Sequence, residues 1–116
     1  MELSAAVYTV TRVFPPDERF GLTNQLRRAA VSVPSNIAEG RGRLTQREFL
    51  HFLGIVRGSA LEVETQLELA MTLAFGDRGE LESTQRLATE VGTILNASIA
   101  TLREAISAKK SLTTNY

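Results

Sequence analysis

The sequence predicts an all-α protein, an up-down antiparallel four-helix bundle, from three observations. Apolar residues recur in steps of three and four through four segments of the chain. No segment alternates apolar and polar residues as a half-buried strand does. The connections between segments are short, which makes successive helices antiparallel neighbours. At 116 residues the chain suits a single domain, 1–116, with one core.

The first helix is predicted over 2–13. Pro15 and Pro16 end it, and Pro15 biases Phe14 away from the α region. Pro16, Asp17 and Glu18 then offer a favourable first turn, so the second helix is predicted over 16–40, with its acids at the positive end of the dipole. Its expected core face is Phe20, Leu26, Ala29, Ala30, Val33 and Ile37. Pro34 removes one donor from the ladder and predicts a kink. Gly40-Arg41-Gly42 is the expected stop.

Thr45 and Glu48 have the spacing of a capping box, so the third helix is predicted over 46–75. Phe49, Leu53, Val56, Ala60, Val63, Leu67, Ala70 and Ala74 form its seam, in alternating steps of four and three. Phe52, Ile55, Leu69 and Leu73 make a second stripe, and a face this wide suits a helix with more than one neighbour. Gly76-Asp77-Arg78-Gly79 is the expected turn. The fourth helix, 80–108, should bury Leu81, Leu87, Ala88, Val91, Leu95, Ile99, Leu102 and Ile106. The tail 109–116 loses the pattern and is expected to fray.

Hydrophobic residues make up 43% of the chain and charged residues 22%, an ordinary globular balance. With no cysteine, disulfides and thiolate metal sites are excluded, which suits a reducing compartment. The N-terminus lacks a basic region before its apolar residues, and no apolar run approaches the length of a membrane span. A soluble, cytoplasmic protein is expected. Thirteen basic and thirteen acidic residues cancel, which argues against a dedicated, strongly basic nucleic-acid binder. Locally, residues 1–43 hold six arginines against four acids.

Chemistry-bearing patterns are sparse. His51 is the single histidine and reads as a surface residue, so no two-histidine metal site is possible within one chain. Glu62, Glu64 and Glu68 lack the Glu-x-x-His partner of di-metal bundles and read as a solvated acidic face. No catalytic residue, metal site or cofactor is expected, and no small-molecule substrate is evident. Gly40-x-Gly42 follows a helix and lacks a phosphate-loop lysine.

Two clusters remain. Ser32, Ser35, Asn36 and Glu39 form a polar stripe. It reads best as a hydrogen-bond network serving the carbonyl that Pro34 leaves without a donor. As a catalytic site the stripe would lack a general-base histidine. Arg27, Arg28, Arg41, Arg43 and Arg47 form the basic cluster that is the candidate partner-binding site. These guanidiniums either grip phosphates or pair with Glu39, Glu48 or acids of a neighbouring subunit. With Phe49 and Phe52 assigned to the core, base stacking is not expected.

The stretches FPPDERFGLTNQLRRAAVSVPSNIAEGRGR at 14–43 and FLHFLGIVRGSALEVETQLELA at 49–70, with the Thr45-x-x-Glu48-Phe49 helix start between them, resemble the four-helix-bundle family named for 23S rRNA intervening sequences, also called S23-like. The resemblance covers the first two-thirds of the chain, and the fourth helix matches in pattern. It implies a homo-oligomer, a homopentamer in known bacterial members. One branch comprises the accessory proteins of diversity-generating retroelements, whose basic outer surface engages RNA or DNA and the reverse transcriptase. By that resemblance the expected partners are further copies of the chain and nucleic acid or a nucleic-acid-handling protein. A protein–protein adaptor with no nucleic-acid role is the alternative.

Overall fold

The computed structural model describes residues 1–114, and every regular element among them is helical: α1 (Glu2–Thr11), a 3-10 turn (Pro16–Glu18), α2 (Leu22–Arg41), α3 (Gln46–Thr72) and α4 (Arg78–Thr114). α3 packs along both α2 and α4, and α1 also packs on α2 and α4. The result is an elongated bundle, 62 × 21 × 18 Å. Because α1 has only 10 residues, it completes a four-helix cross-section at one end alone.

The core follows that asymmetry. At the α1 end, Leu3, Val7, Val10 and Phe14 meet Leu22 and Leu26 of α2, Val63 and Leu67 of α3, and Leu81 and Ala88 of α4. At the far end Val33, Leu53, Val56, Ala60, Leu95 and Ile99 form a second cluster from three helices. Ile37, Phe49, Leu50 and Leu102 pack against it half-buried. With no α1 there, these side chains have fewer neighbours to exclude water.

The α1–α2 connection departs from expectation. Pro16 to Glu18 forms a 3-10 turn rather than the first turn of α2, and the backbone breaks at Gly21 (φ −110, ψ −117). The Glu18 carboxylate accepts from the Leu22 N–H at 2.9 Å, satisfying one of the orphan donors at the start of α2. The break resets the helical phase. Phe20, expected in the core, is therefore 82% exposed.

Across Pro34, α2 continues without interruption to Arg41. The carbonyl left without its ladder donor is that of Ala30. Ser4 of α1 reaches it, its hydroxyl donating at 2.9 Å. Gly40 does not stop the helix. It is buried within α2, and a Cβ there would lie 2.8 Å from Phe52 Cβ and 2.9 Å from a Phe49 ring carbon. The glycine allows α2 to approach α3 closely, and α2 ends one residue later with Gly42 in the right-handed region.

α3 begins as the capping box predicts, with Thr45 Oγ1 accepting from Glu48 N at 3.1 Å. The reciprocal bond differs: the Thr45 hydroxyl, rather than its backbone N–H, meets the Glu48 carboxylate. α3 ends at Thr72, three residues before the expected 75. Phe75 N–H then bonds the Ala70 carbonyl and Ala74 N–H the Met71 carbonyl, a Schellman ending with Ala74 at φ 59. Ala74 is thus exposed at the cap and not in the seam. Gly76 (φ 69) follows, and a Cβ on it would meet the Phe14 ring at 3.2 Å. Asp77 Oδ1 accepts from Glu80 N, so α4 starts at Arg78 inside the expected turn.

The fourth helix also ends later than the expected 108. α4 runs on through Thr114, and Lys109 and Lys110 lie beside Thr45 to Arg47 at the start of α3. The rest of the expected frayed segment, residues 115–116, lies outside the described residues. Among the described residues no helix is long and apolar enough to cross a membrane.

Candidate partner-binding surface

The polar stripe resolves into packing and surface. Ser32 Oγ and Ser59 Oγ share a hydrogen bond of 2.8 Å across the α2–α3 contact, and Asn36 Nδ2 donates to Ser32 Oγ at 2.8 Å and to the Ser32 carbonyl at 2.9 Å. Serving the carbonyl opposite Pro34 falls to Ser4 instead. Ser35 is exposed, and Glu39 holds Arg43 at 2.7 Å. The stripe ties two helices together without assembling a nucleophile and a base.

The acidic residues of α3 are also spread out. Glu64 accepts from Thr89 Oγ1 at 2.6 Å, and its backbone carbonyl accepts from Gln85 Nε2, so it fastens α3 to α4. Glu62 and Glu68 are exposed. No group of three potential metal ligands occurs among the described residues.

The five arginines singled out in the sequence do not form one cluster. Arg28 and Arg41 are thirteen residues apart on one helix, about 20 Å at 1.5 Å per residue. At the far end Arg43 is engaged by Glu39 and lies over the Phe52 ring, 4.8 Å from its centroid. Arg41 is exposed on the last residue of α2. Arg47 borders a groove between α3 and α4 shared with His51, Arg103 and Lys110. That grouping was within reach of the sequence, because a tight α3–α4 turn places the end of α4 beside the start of α3.

Arg27 and Arg28 belong to a different surface. They line a groove of about 760 Å³ between α1 and α2, together with Tyr8, Arg19, Phe20 and Asn24. Arg27 is held on two sides. Its Nε donates to Thr11 Oγ1 at 2.8 Å, and its guanidinium lies 4.7 Å from the centroid of Tyr8. Thr11 is itself buried and fixed, its hydroxyl donating to the Val7 carbonyl at 2.7 Å. Arg19 lies over Phe20 at 5.0 Å.

No carboxylate lines this groove. Among the described residues the ion pairs are Arg43–Glu39 and Arg78–Glu82, so none of Arg19, Arg27 and Arg28 is in an ion pair. Arg28 also borders the neighbouring α2–α3 groove, where Glu62 and Gln66 lie. Tyr8, Arg19, Phe20 and Asn24 lie outside the arginine cluster expected from the sequence. The signal for Phe20 was the Gly21 that follows it, which permits the phase break.

A third surface runs along the outside of α3. Ile55, Leu61, Leu69 and Leu73 are exposed there, Leu61 about 120° round the helix from Ile55 and beside Glu64 and Glu68, so three members of the second stripe face outward instead of widening the intramolecular core.

The family model for 23S rRNA-intervening sequence proteins matches residues 1–97. Among solved structures, one from Bacteroides thetaiotaomicron VPI-5482 is described as a protein with unknown function from the S23 ribosomal protein family. It shares 24% identity with this chain at a TM-score of 0.75, covering 84% of this chain and 92% of that one. At that identity the likeness establishes the fold. No curated protein matches the chain.

Proposed function

The chain belongs to the 23S rRNA-intervening sequence protein family, and from that premise we propose that it is a non-enzymatic, homo-oligomeric helical scaffold that binds a nucleic-acid partner. One observation carries the partner reading: the α1–α2 groove gathers Arg19, Arg27 and Arg28 with no carboxylate in its lining. Planar guanidiniums fit phosphate oxygens bidentately. The balanced total charge is compatible with this, because phosphate binding needs a local concentration of cations on the contacting surface.

The oligomer reading is supported by the exposed aliphatic side chains of α3, since apolar surface in water gains about 25 cal/mol per Å² on being covered. The family resemblance supplies the number five. Five grooves on one particle would raise avidity for a long polyanion beyond that of one groove. A reverse transcriptase is a further partner in this reading, as for the retroelement branch. The reading extends to bacterial cytoplasm as the working compartment.

The test is fluorescence anisotropy with a structured RNA hairpin and a DNA duplex at low and physiological salt, on wild type and on Arg27→Ala/Arg28→Ala with unchanged helicity and mass. Wild type is expected to bind with affinity falling steeply as salt rises, and the double variant to lose most of that binding. Absence of binding to either nucleic acid by wild type near physiological salt would overturn the reading. It would leave the alternative, a protein–protein adaptor, which the zero net charge favours.

A further inference from the structure

We propose that the α1–α2 groove is a site for an unpaired nucleic-acid strand, in which bases stack on the Phe20 and Tyr8 platforms while Arg19, Arg27 and Arg28 hold the phosphates. This rests on the nucleic-acid reading above and narrows it to a strand type and a site.

Phe20 is the starting point. A phenylalanine that is 82% exposed is costly to leave in water, and nothing in the bundle core uses it. The backbone nonetheless presents it, because the 3-10 turn and the break at Gly21 turn residue 20 away from the core-facing side of α2. Arg19 stacks over its ring at 5.0 Å. Across the groove Tyr8, 42% exposed, makes the same pairing with Arg27 at 4.7 Å. The groove thus holds two aromatic–guanidinium pairs. Nucleobases extend stacks of this kind, since aromatic rings and guanidinium planes both present flat faces to them.

The second feature is the pre-set orientation of Arg27. Its Nε is occupied by Thr11, whose own hydroxyl is anchored to the backbone of α1. A guanidinium has five donors, so anchoring one leaves the Nη donors for a phosphate with little ordering cost. Arg28 is exposed on the same helix, and Asn24 adds an amide with both donor and acceptor atoms that suits a base edge.

These features favour one strand over two. In a duplex the base faces are already stacked, so Phe20 and Tyr8 would gain nothing and the arginines alone would contribute. An unpaired strand uses both halves of the groove. A protein partner is less well matched, because Val31 is the single aliphatic residue in the lining and a docking helix needs a longer apolar strip.

The test uses the full chain and a labelled twelve-nucleotide single-stranded RNA, a blunt duplex of the same sequence, and an oligoglutamate peptide. The single strand is expected to bind wild type more tightly than the duplex. Phe20→Ala should weaken single-strand binding about tenfold and leave duplex binding unchanged, whereas Phe20→Trp should retain it. With three arginines on three phosphates, the salt slope for the single strand should be roughly −2, and Arg19→Ala/Arg28→Ala should flatten it. Arg43→Ala, at the other end of α2, should leave binding unchanged.

An independent readout needs no change in the groove. The chain has two tyrosines, so Tyr116→Phe leaves Tyr8 as the sole tyrosine emitter, and the single strand should quench it. If nucleic acid binds but Phe20→Ala matches wild type, or Tyr8 is not quenched, this inference falls while the nucleic-acid reading stands. If no nucleic acid binds, both fall. Preference for oligoglutamate over the single strand would also overturn the inference and point to an acidic protein partner.

Discussion

Ala74 stands in the left-handed region at φ 59, a conformation that costs an alanine about 1 kcal/mol more than a glycine. The Schellman bonds around it hold it there, so the strain is set by the α3–α4 turn and not by local preference. Ala74→Gly is therefore expected to raise stability by roughly 0.5–1 kcal/mol, read from denaturant unfolding. Gly40 is the opposite case. A Cβ there meets Phe52 Cβ at 2.8 Å, so Gly40→Ala must push α2 off α3 and should cost about 1–3 kcal/mol in the same measurement. Ser4→Ala should cost about 1–2 kcal/mol, because the Ala30 carbonyl loses the donor that replaces the one Pro34 lacks. An unchanged midpoint for Ser4→Ala would mean that water serves that carbonyl equally well.

At the scale of elements, the α3 seam from Leu53 through Ala70 was legible because its alternating steps are uninterrupted and every member is buried. The α4 seam residues Leu81, Ala88, Leu95 and Ile99 were legible for the same reason. The segment between α1 and α2 was not. Pro16-Asp17-Glu18 suits an α-helical first turn and a 3-10 turn equally in composition. The choice is made by Glu18 capping Leu22 and by Gly21 breaking the phase. That one ambiguity moved Phe20 from core to surface and hid an aromatic groove. The arginines were legible as residues but not as a site, since a helix of 20 residues carries its two ends far apart. Likewise the stripe of Ile55, Leu69 and Leu73 was visible as apolar periodicity, but periodicity alone does not say whether the neighbour is the same chain or another.

For the whole molecule, shape and surface point the same way. A bundle 62 Å long whose first helix covers one end leaves Ile37, Phe49, Leu50 and Leu102 half-buried at the other, and α3 carries exposed Ile55, Leu61, Leu69 and Leu73. In the proposed scaffold these α3 side chains meet a second copy of the chain. Placing charge there should separate them without unfolding the monomer, because Leu61 and Leu69 contribute exposed surface and not core. Leu61→Glu/Leu69→Glu is thus expected to keep its helical circular dichroism while losing the assembly. The arginine groove lies on α1 and α2 and is left unaltered by those substitutions, so the separated chains should still bind a short nucleic acid and lose only the avidity for a long one.

Whether the chain is an oligomeric scaffold is decided by light scattering coupled to size exclusion. A pentamer has a wild-type mass of five times the 12.7 kDa chain, falling to one chain in Leu61→Glu/Leu69→Glu. A wild-type mass equal to a single chain across the micromolar range would contradict it.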